Sequence, residues 1–109
     1  MRRLPLFSDP TDVGVSTLLD LGNGVGAAFR AGSVRLAPGQ RVPAEGWSVH
    51  AADEVSYIVS GSLTGMCGGD EFATVAGEVS VIPAGEEHWA VAGPEGAEIF
   101  WCWYGDVDG

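Results

Sequence analysis

Two histidines and one glutamate are the residues of this chain whose types and spacing can do chemistry. His50 and Glu54 stand four positions apart in "SVHAADEVSYIVSG" (residues 48–61), and His88 closes "GEVSVIPAGEEH" (residues 77–88). Two imidazoles and a carboxylate that meet form the ligand type of a non-haem iron site, with coordination positions left open. Without metal, either histidine can serve as a general acid or base. The opposing reading is a surface turn that happens to contain a histidine. The choice depends on whether the segment of His88 folds back onto that of His50.

The elements that must position these residues read as strands. Seventeen glycines and six prolines spread along the chain imply many short elements joined by tight turns. Only Asp12 to Leu21 carries a weak helical signal, and its Val13, Val15 and Thr17 alternate as well as they spiral. Strands are expected over Ala27 to Leu36, Glu54 to Val59, Leu63 to Cys67, Phe72 to Val75, Val79 to Ile82, His88 to Ala92 and Ala97 to Tyr104. The Glu54 strand is expected to stop at Ser60-Gly61, with Glu54, Ser56 and Ile58 inward and Val55, Tyr57 and Val59 outward. Short strands at regular spacing indicate a sandwich or a barrel. In such a fold inward positions alternate along each strand, and strands distant in sequence are brought together. His50 and Glu54 flank a short turn and can face one interior, and His88 follows the Pro83-Ala84-Gly85 turn that can close the set. Asp53, Glu86 and Glu87 are read as solvated turn residues.

A chain of 109 residues is expected to form a single domain, 1–109, with residues 1–25 as an N-terminal extension or strand. Fifteen carboxylates stand against five arginines and no lysine, for a net charge of −10. Such a surface repels phosphate backbones and anionic membranes, so neither nucleic acid nor membrane is an expected partner. A Schiff-base mechanism is excluded, because it needs a lysine amine. No run approaches the ~18 apolar residues of a membrane span. The start, Met1 to Phe7, has charge but no long apolar stretch after it, so a cytoplasmic location without a signal peptide is expected. Cys67 and Cys102 do not form a CxxC pair and read as small buried or half-buried thiols, with a place in a pocket wall open to either.

The two stretches together resemble the paired signatures of the cupin superfamily. The first family motif is HxH, three or four residues, Glu, six residues, Gly; here His50, Glu54 and Gly61 fit its second half. The second is G-x5-P-x-G-x2-H-x3-N, which Gly77, Pro83, Gly85 and His88 match. The resemblance covers roughly residues 31 to 104 and implies an all-β double-stranded β-helix, a jelly-roll barrel. Ser48 stands where the family has its first histidine, and Ala92 where it has the final asparagine. The family's usual shell is three histidines and one glutamate, so the set implied here is His50, Glu54 and His88 around a divalent metal: iron, manganese, nickel or zinc. Within the superfamily, this shortened set is similar to the iron site of a hydroxypropylphosphonate epoxidase.

The last strand, "AEIFWCWYG", is apolar on both parities, so one face is expected to line the barrel and the other to pack elsewhere. Ser48, Trp101, Trp103 and Arg35 are taken as candidate pocket residues, Arg35 as a possible anchor for a carboxylate or phosphonate. For Arg30, Arg35 and Arg41 alike, the ordinary alternative is surface pairing with nearby acids. The functional expectation is a small stand-alone enzyme that oxygenates, isomerises or eliminates from a small organic substrate, with His50 and His88 as catalytic groups. The alternatives are a non-catalytic ligand-binding or sensing domain, and a metal-free acid/base enzyme that uses the same histidines. A homodimer is expected through the apolar outward set Val55, Tyr57 and Val59.

Overall fold

Every regular element among the described residues is a β-strand. The computed structural model describes residues 1–9, 11–22 and 28–106. The strands are β1 (Gly14–Gly22), β2 (Ala28–Leu36), β3 (Arg41–Val42), β4 (Ala52–Cys67), β5 (Asp70–Val75), β6 (Val79–Ile82) and β7 (His88–Gly105). The alternation of Val13, Val15 and Thr17 is thus resolved in favour of a strand. The expected strand start at Ala27 and the end of the acidic tail lie outside the described residues.

The two long strands organise the barrel. β4 and β7 run antiparallel along their whole lengths, from Ala52 opposite Gly105 to Cys67 opposite His88. The first half of β4 takes β6 on its other edge, and the second half takes β5. Likewise the second half of β7 takes β2, with β1 beyond it, and the first half takes β3. The long strands are therefore shared by two sheets that fold over one another, the double-stranded β-helix of the jelly roll.

Four expected strands merge into these two. Ser60-Gly61 does not stop β4, and the gap between Ala92 and Ala97 does not interrupt β7. The glycines mark bends instead of ends. Gly61 and Gly96 adopt φ of 76° and 77°, and the ladder slips register between Ile58 and Ser60 and again between Gly61 and Leu63. Bulges with glycine are how a strand turns a barrel corner. A Cβ on Gly61 would fall 2.0 Å from the Gly96 carbonyl oxygen, so the two backbones approach closely only without a side chain.

Inside the corner lies the core of Val34, Leu36, Ile58, Leu63, Ala92, Ala97, Ile99 and Trp101. Ser56 and Ile58 are buried while Val55, Tyr57 and Val59 are exposed, which is the expected parity of β4. Gly61→Ala is expected to lower unfolding free energy by about 2 kcal/mol or more, from left-handed backbone strain plus the clash. Gly77 has a φ of 91° but nothing within 4 Å of an added Cβ, so Gly77→Ala should cost clearly less. Urea denaturation of the two variants checks the difference, and equal losses would show that the Gly61–Gly96 approach is not limiting.

Candidate metal centre

Glu54 enters the barrel from β4, while His88 begins β7 opposite Cys67, far along β4 from Glu54. The folding of one sheet over the other brings them back together. The segment before β4 is tied down at several points. The Arg41 guanidinium donates to the carbonyls of Pro43 (2.9 Å) and Gly46 (2.7 Å) and lies 4.7 Å over the Trp89 ring. Ser48 and His88 exchange two backbone hydrogen bonds, of 2.8 and 2.9 Å. The Gly85 N–H donates to the His50 carbonyl at 2.7 Å, and the Ala84 N–H to Asp53 Oδ1 at 2.8 Å. The two ligand-bearing segments are thus stitched to each other.

The result is that ligand atoms of His50, Glu54 and His88 all lie within 4.8 Å of one another. His50 Nε2 is 3.7 Å from Glu54 Oε1, with the two side chains 18% and 15% exposed. That 3.7 Å separation lies within the span of two ligands that share one ion at bond lengths of ~2.0–2.2 Å. The donor set fits a divalent first-row metal on chemical grounds. His88 Nδ1 lies 3.0 Å from the Glu86 carbonyl; as donor there, it leaves Nε2 bare. Burial pushes the His50 imidazole below its ordinary pKa, partly offset by Glu54 and reinforced by His88, so the neutral, metal-ready form prevails at neutral pH.

Trp103 organises the ligands from behind. Its indole N–H donates to Glu54 Oε1 at 2.6 Å, and its ring lies 4.2 Å from the His50 ring, centroid to centroid. Ser56 Oγ donates to the other Glu54 oxygen at 3.3 Å. These residues open onto a cavity of about 260 Å³ inside the barrel. Ser48, Trp101 and Trp103 all line it, on walls that also carry Thr74, Ser80, Ile99 and Trp89. The Trp101 ring packs close against β2 at Gly32, where an added Cβ would stand 2.5 Å from it.

Arg35 does not line the cavity. Its guanidinium binds Glu98 Oε2 at 3.0 Å and the carbonyls of Asp9 and Asp12, and stacks 3.9 Å over Phe7. Hydrogen bonds from Ser60 and Arg35 hold the Glu98 carboxyl below its ordinary pKa. The cavity arginine is Arg30, on the opposite parity of β2. Two acids read as solvated turn residues have structural partners: Asp53 holds the 83–85 turn, and half-buried Glu86 accepts the Cys67 thiol at 3.2 Å. Burial, with the hydrogen bond to Glu86, pushes the Cys67 pKa up to about 11, so the thiol stays protonated. Cys102, also a free thiol, lies off the cavity wall.

Jelly-roll barrel and His–Glu–His cluster together define a protein class, and sequence comparison agrees with it. The cupin domain family matches residues 32–103, and the chain belongs to that family. An RmlC-like cupin with a double-stranded β-helix fold from Methanocaldococcus jannaschii is similar at a TM-score of 0.75 and 12% identity, over 98% of this chain and 93% of that one. A structural-genomics protein of unknown function from Rhizobium leguminosarum has a TM-score of 0.69 and 22% identity, over 96% and 97%. KdgF from a Halomonas species has a TM-score of 0.62 and 19% identity, over 83% and 88%. No curated protein sequence matches significantly.

Trp103→Phe keeps an aromatic ring beside His50 and removes the N–H held by Glu54 together with the five-membered ring. Zinc affinity measured by chelator competition should fall about 10- to 100-fold with the circular dichroism spectrum unchanged. Unaltered affinity would mean that the indole does not orient the carboxylate.

Proposed function

We propose that this cupin is a metal-dependent enzyme that oxygenates, isomerises or eliminates from a small organic substrate. The observation that supports the reading most strongly is the convergence of His50, Glu54 and His88 within 4.8 Å at the cavity. A divalent ion held there supplies Lewis acidity or oxygen activation, with positions left open because only three protein ligands surround it. The chain's own residues do the rest. Trp101 and Trp103 wall the cavity and exclude water from one side. Without metal, His50, kept neutral by its surroundings, can instead take a proton from a substrate carbon or hydroxyl beside it. Ser48, at the family's first histidine position, offers a hydroxyl to the substrate and does not compete as a ligand. The cavity is below the roughly 300–1,000 Å³ of drug-sized sites, which favours a small substrate.

The outer face of the β4–β6 pair carries exposed Val55, Tyr57, Val59, Val79 and Val81, with Val55 opposite Val81 and Tyr57 opposite Val79. A second copy covering this apolar face makes the enzyme a homodimer. Two free thiols suit a reducing compartment, the cytoplasm. No helix of the described residues is long and apolar enough to cross a membrane.

Size-exclusion chromatography coupled to elemental mass spectrometry, on untagged protein, tests both points. One metal per chain should co-elute at twice the 11.3 kDa chain mass and be lost in His50→Ala and His88→Ala. An absence of metal, even after loading with iron, manganese, nickel or zinc, would overturn the metal reading. Elution at the chain mass would overturn the dimer.

A further inference from the structure

The sheet that carries Glu54 presents three successive rows of side chains to the barrel interior, and they lose polarity in order. The first runs Arg30, Trp103, Glu54 and Ile82, on β2, β7, β4 and β6. Two residues further along each strand, the second runs Thr17, Gly32, Trp101, Ser56 and Ser80. The third is Val15, Val34, Ile99 and Ile58, with no polar side chain. Such rows lie roughly 7 Å apart. The facing sheet repeats the order. His88 begins β7 there, and the next inward row, Val42, Ala90, Gly65 and Phe72, is wholly apolar.

The cavity therefore has a polar end and an apolar end. Its charged and ligating wall residues, His50, Glu54, His88 and Arg30, stand at the first, and Arg30 pairs there with Asp20 at 3.0 Å. Hydroxyls further in are engaged: Ser56 donates to Glu54, and Thr74 to Glu78. The Phe72 and Trp101 rings are drawn close to their sheets by glycines. A Cβ at Gly65 would stand 3.0 Å from the Phe72 ring, just as one at Gly32 would meet Trp101. A charged group among these rows would lose its hydration without a partner, whereas an apolar body gains by leaving water. The cavity of about 260 Å³ has room for one aromatic ring, since an apolar cavity of ~150 Å³ already takes benzene.

We infer that the substrate is amphipathic: an oxygen-bearing head at His50, Glu54 and His88, and an uncharged apolar body of about one aromatic ring against Phe72 and Trp101. The placement of the head rests on the metal reading above; the apolar seat does not need the metal.

Acetohydroxamate, benzohydroxamate and para-carboxybenzohydroxamate share a metal-binding head and differ in the body: methyl, phenyl, and phenyl with a far charge. They are titrated calorimetrically into zinc-loaded protein. Toluene, a body without a head, is titrated into chelator-treated protein. Benzohydroxamate should bind about tenfold or more tighter than acetohydroxamate, through the added buried apolar surface. The far carboxylate should weaken binding about tenfold or more relative to benzohydroxamate. Ala90→Leu, which fills the second row, should exclude toluene and bring benzohydroxamate within about twofold of acetohydroxamate, with zinc uptake unchanged. If that variant does not fold, Val42→Phe in the same row takes its place. The inference is overturned if phenyl gains nothing over methyl, undetectable binding of both included, or if the far carboxylate costs nothing. Toluene that fails to bind the wild type, or a phenyl preference that survives in the filled variant, overturns it as well. If zinc is not taken up but toluene binds the wild type and not the filled variant, the metal reading fails and the apolar seat stands.

Discussion

A carboxylate inside an apolar barrel is the constraint on which the rest of this structure depends. Glu54 is 15% exposed beside tryptophan rings, and a charge so placed costs several kcal/mol unless hydrogen bonds and an opposite charge compensate it. Trp103 and Ser56 supply the hydrogen bonds. The His50 imidazole, kept neutral by burial, adds a lone pair without adding positive charge. A divalent cation bound there as proposed would balance the carboxylate and take up the imidazole lone pairs. The backbone bonds from Ser48 to His88 and from Gly85 to His50 then act as positioning elements, since they fix the separation of the two histidine-bearing segments.

One row of residues links the chemistry to the fold. β7 carries Trp103 between Arg30 and Glu54 because β7 is the strand shared with both β2 and β4. It can be shared only because it and β4 bend together at Gly96 and Gly61. The corner, the indole and the carboxylate thus form one mechanical chain. A change at the corner would reach the ligands through strand register, without touching them.

Much of this was legible in the sequence. Both histidines of the chain fall at the spacing of the cupin motifs, so His50, Glu54 and His88 could be named through that resemblance, and the parity of β4 followed from its polar-apolar alternation. The merging of strands was hidden because a glycine in a strand pattern reads equally as an end or a bend. Only a partner backbone, here Gly96 against Gly61, decides between them. The arginine was misassigned for a related reason. Both parities of β2 are buried, Ala31 and Ser33 on one and Val34 on the other, so composition gives no inside and outside to distinguish Arg30 from Arg35. The structural roles of Asp53 and Glu86 depend on turn geometry that local sequence does not reveal.

If His50, Glu54 and His88 share a single ion as proposed, two imidazole nitrogens and one carboxylate bind it. Electron paramagnetic resonance of the copper(II)-loaded protein counts those nitrogens directly. Superhyperfine coupling from two nitrogens, reduced to one in His88→Ala, is the predicted result. A nitrogen count other than two in the wild type, or a spectrum unchanged by removal of His88, would contradict it.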